Sequence, residues 1–140
     1  AAREGIRSAW HLAHVIKISD DELAFLTGSS DLAAAPSLLH DELRLLLVTL
    51  GGGGVAWFAG ERSGRVSGYE VETRDTTGAG DAFVAGVLSA VVRDPELASD
   101  EEALEAALRR ANAYAALTTT RSGAIPALPS ADELERFLAG

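Results

Sequence analysis

Asp75-Thr76-Thr77-Gly78-Ala79-Gly80-Asp81 is the stretch best suited to chemistry, and the apolar run Ala82 to Val92 follows it directly. Phe83, Val84, Val87, Leu88 and Val91 leave that run almost no polar face, which predicts a buried helix. A helix N-terminus offers free N–H groups and the positive end of the helix dipole. Small residues at that end let a phosphate approach the backbone closely. Asp81 then falls in the first turn, beside any such anion. A carboxylate there is electrostatically odd unless it accepts a proton from a nucleophile attacking the phosphate. The plainer alternative is that Thr77 caps the helix and Asp81 only complements the dipole.

The elements that must position this stretch follow in order. The opening has no methionine and begins inside an apparent helix, roughly residues 2–12, which is the reading expected of a piece of a longer chain. His11 and His14 stand three apart with no third metal ligand nearby. Val15 to Ile18 reads as a short buried strand. Ser19 and Glu22 have the spacing of a capping box for a helix closed by Gly28. The same Glu22, at the end of a strand, could instead face a crevice holding a divalent cation. Asp31 to Leu39 reads as a helix with Pro36 awkwardly inside it.

Leu43 to Leu50 predicts a strand buried on both faces, as in a parallel sheet. Gly51 to Gly54 ends it, either as a flexible turn or as backbone on which a ligand packs. No Lys-Ser/Thr pair follows, so this is not a Walker A loop, and no helix opens after it as a dinucleotide fingerprint requires. Val55 to Ala59 and Arg65 to Thr73 predict strands joined by a turn over Gly60 to Gly64. Ser99 and Glu102 predict a capping box for a helix reaching about Thr118. Asn112 on that helix could read a base edge, or simply face solvent. Thr118 to Pro126 is an irregular segment whose carbonyls could wrap a hard cation. Ser130 and Glu133 predict the cap of a last short helix.

The 140 residues are enough for one domain. There is no cysteine, hence no disulfide framework and no thiolate metal site, which fits a reducing, cytoplasmic location. No apolar stretch reaches membrane-spanning length. The net charge of −9 and the lack of a basic stripe argue against nucleic acid. The same charge repels phosphate, so a helix N-terminus, a cation or an arginine such as Arg74 or Arg121 must attract it locally.

Taken together, these motifs resemble the PfkB, or ribokinase-like, carbohydrate kinases. Asp75 to Phe83 is similar to that family's second signature, Val15 to Gly28 to its Asn-x-x-Glu region, and Leu47 to Gly51 to its nucleotide-binding strand and turn. Thr118 to Ser130 resembles plant and bacterial fructokinases. The resemblance implies an α/β fold, ribokinase-like and Rossmann-like, with a mostly parallel sheet flanked by helices. It further implies that residues 1–140 are the C-terminal nucleotide-binding and catalytic part, without the N-terminal sugar-binding and lid part. An apolar sheet edge would then be exposed.

The implied reaction is transfer of the ATP γ-phosphate to the 6-hydroxyl of fructose. Asp81 is the implied base, and Gly78, Ala79 and Gly80 the implied anion hole. Thr49, Gly51 and Gly54 fall on the nucleotide loop, with Asn112 near the adenine. Glu22 would organise Mg2+ and its waters. Asp75, Thr77, Thr118, Arg121 and Gly123 fall where the family holds a monovalent cation, K+ by expectation. Three departures stand out: Ser19 replaces the usual asparagine, Arg74 stands where a small apolar residue is usual, and Ala127 removes a hydroxyl near the cation. Homodimer formation is left open. The alternative function is a non-catalytic nucleotide-binding or interaction module derived from such a kinase.

Overall fold

The leucines of residues 45–48 form the centre of a four-stranded sheet because nothing in that run has a polar group to keep in water. Residues 2–140 are described by a computed structural model, and they divide into two compact units. The first comprises the chain up to Gly51 together with Val55–Arg65; the second comprises Gly52–Gly54 and Val66–Gly140.

The first unit holds α1 (Ala2–Trp10), β1 (Val15–Ser19), α2 (Asp20–Thr27), β2 (Leu45–Thr49), β3 (Val55–Ala59) and all but the last residue of β4 (Arg62–Val66). The strands lie in the order β1-β2-β3-β4. β1 and β2 are parallel, with Ser19 opposite Thr49, whereas β2 and β3 are antiparallel, with Leu47 opposite Trp57. The sheet is therefore mixed, a variation within the expected α/β class. Leu45, Leu46, Leu47 and Val48 are each at most 1 % exposed, so β2 is covered on both faces as the apolar run requires. Leu46, Val48, Ile18 and Ala56 pack with Leu23 and Leu26 of α2 and with Ala35. β1 is an edge strand, half-buried along most of its length.

Three local expectations change. Residues Leu32–Leu38 form a tight 3-10 helix with Pro36 inside it, capped by Asp31, whose Oδ1 accepts from the Ala33 amide at 2.9 Å. Proline removes one helical N–H, and the shorter repeat accommodates the loss. The β3–β4 connection is only Gly60-Glu61, with Gly60 at φ +60°, as two-residue hairpins demand. Gly64 lies inside β4 rather than in the turn. A Cβ on it would sit 2.6 Å from Nε1 of Trp57, a ring with no exposed surface. Gly64→Ala is expected to lower stability by about 1–3 kcal/mol through overpacking, read as a drop in the denaturant midpoint at unchanged slope.

The second unit holds α3 (Ala79–Arg93), α4 (Glu101–Thr119) and α5 (Ala131–Leu138). Gly86 of α3 lets the two long helices approach, since its Cβ would stand 3.0 Å from the Ala111 Cα. Only Ala82, Phe83 and Val87 of α3 are buried, while Leu88 is 51 % and Val92 80 % exposed. The fully buried helix expected from its apolar content is thus buried along one stripe. The cap of α4 is Asp100, which accepts from the Ala103 amide at 3.1 Å, and not Ser99 with Glu102. A 3-10 turn over Leu97–Ser99 takes Ser99 and moves the cap one residue on. α5 has the expected capping box between Ser130 and Glu133.

Candidate functional site

In the first unit the parallel pairing brings two candidate segments to one end of the sheet. Ser19 and Thr49 are opposite one another at the C-terminal ends of β1 and β2, where ligands of α/β sheets bind. The Ser19 hydroxyl accepts from the Glu22 amide at 3.1 Å, and Glu22 Oε2 accepts from the Ser19 amide at 2.7 Å. The capping box is therefore formed, with Glu22 exposed at the helix start. The Thr49 hydroxyl donates to the Ile18 carbonyl at 3.3 Å, joining the two strand ends. Gly51 follows with φ +55° and open space where a Cβ would stand.

In the second unit the loop leading into α3 is held by one carboxylate. Asp75 Oδ1 accepts from the Thr77 amide at 2.9 Å, and its Oδ2 accepts from the Gly123 amide at 2.8 Å. The chain is fixed a second time by the Arg74 and Asp75 amides, which donate to the Thr119 carbonyl at 2.8 and 3.1 Å. Bonding to Thr77 and to the Gly123 amide favours the charged form and lowers the Asp75 pKa from 3.8 to about 2. Two loops 48 residues apart in sequence are thereby locked together at the mouth of α3.

Gly78 caps α3 in the left-handed conformation, φ +81°, with Ala124 3.1 Å from the position of a Cβ. This removes the plainer alternative in which Thr77 caps the helix. The difference matters chemically, because a glycine cap brings no side-chain oxygen to cover the first-turn amides. The Ala79 amide turns back to the Thr76 carbonyl at 3.2 Å. Gly80 and Asp81 follow in the first turn, both exposed. An uncovered helix start with a carboxylate in its first turn can receive an anion and, beside it, a proton.

The remaining expected residues sit nearby in sequence and differ in what they do. Asp75, Thr77 and Gly123 are brought together by the Asp75 clamp. Thr118 is fully buried, and its hydroxyl donates to the Tyr114 carbonyl at 2.9 Å within α4. The Arg121 guanidinium pairs with Glu133, so its charge is directed to the cap of α5 rather than held for a phosphate. Arg121 and the Ser130 amide together pull the Glu133 pKa from 4.5 to about 2. Asn112 is 7 % exposed and does not face solvent. Its amide nitrogen donates to the carbonyls of Val66 at 3.3 Å and Ser67 at 3.0 Å. Gly54 has φ +91° and lies against the backbone of Val66 to Gly68.

Sequence reasoning missed the partner of Asp75 and the lock it makes. An aspartate two residues before Thr77 signals a local Asx turn, and the family resemblance groups Asp75 with Gly123 at a cation site, but neither signal points to the hydrogen bond between them. The clamp has a measurable consequence. Asp75 and Glu133 both have folded-state pKa values below their ordinary ones. Their contribution to stability is present above about pH 4.5 and is lost as pH falls toward 2. The melting midpoint is expected to fall over that window, and to fall less steeply in Asp75→Asn. Parallel curves for the two proteins would show that Asp75 carries no such linkage.

Comparison with known proteins adds the following. The profile of the pfkB family carbohydrate kinases matches residues 1–131. Fructokinase-2 of Solanum lycopersicum is 49 % identical over 141 residues, covering 99 % of this chain and 43 % of that protein. Probable fructokinase-7 of Arabidopsis thaliana is 48 % identical over 142 residues, covering 99 % of this chain and 41 % of that protein. The chain thus spans less than half the length of these curated relatives. Among solved structures, the fructokinase of Xylella fastidiosa with bound ATP superposes with a TM-score of 0.90 at 30 % identity, over 99 % of this chain and 46 % of that one. A double-mutant fructokinase of Vibrio cholerae O395 with fructose, ADP and potassium ion bound gives 0.88 at 36 % identity, over 97 % and 44 %.

Proposed function

We propose that this chain, which belongs to the pfkB family of carbohydrate kinases, forms the nucleotide-binding and phosphoryl-transfer part of a fructokinase. The reaction is ATP plus fructose giving ADP and fructose 6-phosphate. The observation that carries this reading is the glycine-capped start of α3, held open by the Asp75 clamp, with Asp81 exposed in its first turn.

Each residue has a role in the proposal. Asp81 takes the proton from the sugar hydroxyl as its oxygen bonds to the γ-phosphorus and the bond to the β-γ bridging oxygen breaks. Gly78, Ala79 and Gly80 shape the helix start, whose amides and dipole stabilise charge on the migrating phosphoryl group. Fixing the loop in advance avoids reorganising it during the reaction. Thr49 at the end of β2, together with Gly51, Gly54 and Asn112, serves the nucleotide.

The cation proposals are consistent with the donors present. Asp75 remains ionised far below neutral pH and ties the Thr77 and Gly123 amides to it, so a negative charge is available where K+ would bind. Thr118 and Arg121 would contribute through their carbonyls, since the hydroxyl of one and the guanidinium of the other are engaged elsewhere. Among the described residues no three His, Cys, Asp or Glu side chains could hold a metal ion together. Mg2+ would then arrive with the phosphates and keep several waters, which Glu22 would order. Bound there, it would neutralise phosphate charge.

The test is fructose-dependent ADP release. It is run on this chain alone and on a chimera in which the chain replaces the matching part of the tomato fructokinase-2. The expected result is turnover by the chimera that requires fructose. ADP release indifferent to fructose, or none, overturns the kinase reading. Nucleotide binding without turnover in both proteins supports the second reading, a binding module.

A further inference from the structure

We infer that Asn112 is a positioning residue for the glycine loop at Gly52–Gly54, acting through the backbone of residues 66–68 and not by reading a base. The inference rests on the nucleotide role proposed above for that loop.

The connection runs through direct contacts within the second unit. Asn112 projects from α4 into the interior, and its two amide hydrogens serve two consecutive carbonyls, those of Val66 and Ser67. These residues lie where the chain leaves β4 and becomes irregular, so no sheet ladder holds Ser67. The same short segment is the wall of the glycine loop. A Cβ on Gly54 would stand 2.1 Å from the Val66 carbonyl oxygen and 2.5 Å from the Gly68 nitrogen. A Cβ on Gly68 would stand 2.3 Å from the Gly52 carbonyl oxygen. Backbone therefore packs on backbone with no side chain between, and any shift of residues 66–68 is passed to the loop undamped.

The chemistry suits a positioning task. Glycine is the residue with the most conformational freedom to lose, so a glycine loop keeps one shape only if something outside it imposes that shape. A helix of 19 residues is a rigid mount, and a buried primary amide is a two-pronged donor on it. With the donor removed, the carbonyls of buried Val66 and of Ser67 each lose this bond. A base-reading asparagine must instead keep its amide toward the ligand.

Two variants and two readouts test this. Asn112→Ala removes the donor, and Gly68→Ala pushes the wall into Gly52 while leaving Asn112 intact. Amide exchange is followed without nucleotide, and dissociation constants are measured for ATP, GTP and inorganic tripolyphosphate. In both variants, exchange over residues 52–54 and 66–69 is expected to quicken about tenfold while the core of β2 stays protected. All three ligands are expected to weaken by the same factor, again about tenfold, the equivalent of one net hydrogen bond.

Unchanged exchange over 52–54 in Asn112→Ala overturns the inference. So does a loss confined to ATP with tripolyphosphate unaffected, since that is the mark of base reading. If the wild-type chain binds none of the three ligands yet the loop loosens as stated, the positioning role stands and the nucleotide role fails. If Asn112→Ala unfolds outright, Gly68→Ala decides by the same criteria.

Discussion

Asp81→Asn in the chimera is expected to lower turnover by about 10²- to 10⁴-fold, the range for loss of a positioned general base, with nucleotide affinity held. Asparagine has nearly the same shape and occupies a helix first turn without difficulty. What it cannot do is accept the hydroxyl proton. The side effects have known signs. Losing the negative charge at the positive end of α3 costs about 0.3–1 kcal/mol of helix stability, too little to unfold the protein. Losing a negative charge beside the phosphate site favours ATP if it does anything. Turnover and binding should therefore separate, with the Michaelis constant for ATP equal to or below the wild-type value. Wild-type-like turnover in this variant would remove Asp81 from the reaction. Parallel loss of binding and turnover would assign it to the loop's architecture.

The features legible in the sequence are those set by residues within one turn of each other. Both Ser-x-x-Glu boxes, at Ser19 and Ser130, form as expected because four residues contain both halves of each interaction. The covering of β2 follows from its apolar run, since neither face offers a group that water would retain. Failures occur where two local signals compete or where the partner is distant. Asp100 and Ser99 are adjacent capping candidates, and only the preceding turn at Leu97–Ser99 decides between them. Gly64 has the type of a turn residue, yet its role is to leave room for Trp57. The apolar content of α3 says nothing of how many of its sides are covered. Asn112 meets its partners across 46 and 45 residues, and an interrupted apolar pattern gives no hint of them. For the candidate site, the helix start and the place of Asp81 in its first turn were readable from spacing alone. The lock from Asp75 to Gly123 was not, because a hydrogen bond to a backbone amide leaves no mark on the sequence of the residue that supplies it.

Gly54→Ala is expected to destabilise the protein by about 2–5 kcal/mol, with the same change at Gly51 costing only about 1–2 kcal/mol. The two glycines belong to one run of four and are indistinguishable by type. Their surroundings differ. At Gly51 the φ of +55° imposes the left-handed penalty on alanine, about 1–2 kcal/mol, and nothing lies within 4 Å of the new methyl. At Gly54 the φ of +91° imposes a penalty of the same kind, and the methyl would also meet the Val66 carbonyl oxygen at 2.1 Å. That neighbour is backbone, held from behind by Asn112, so it cannot rotate away as a side-chain tip would. Overpacking of this kind adds about 1–3 kcal/mol. Since a domain of this size has about 5–15 kcal/mol in all, the Gly54 variant would lose a large share of its stability and the Gly51 variant little. Urea midpoints for the two proteins check the difference. Equal midpoints would mean that the wall of residues 66–68 yields, and that the glycine run is a flexible turn rather than a shaped surface.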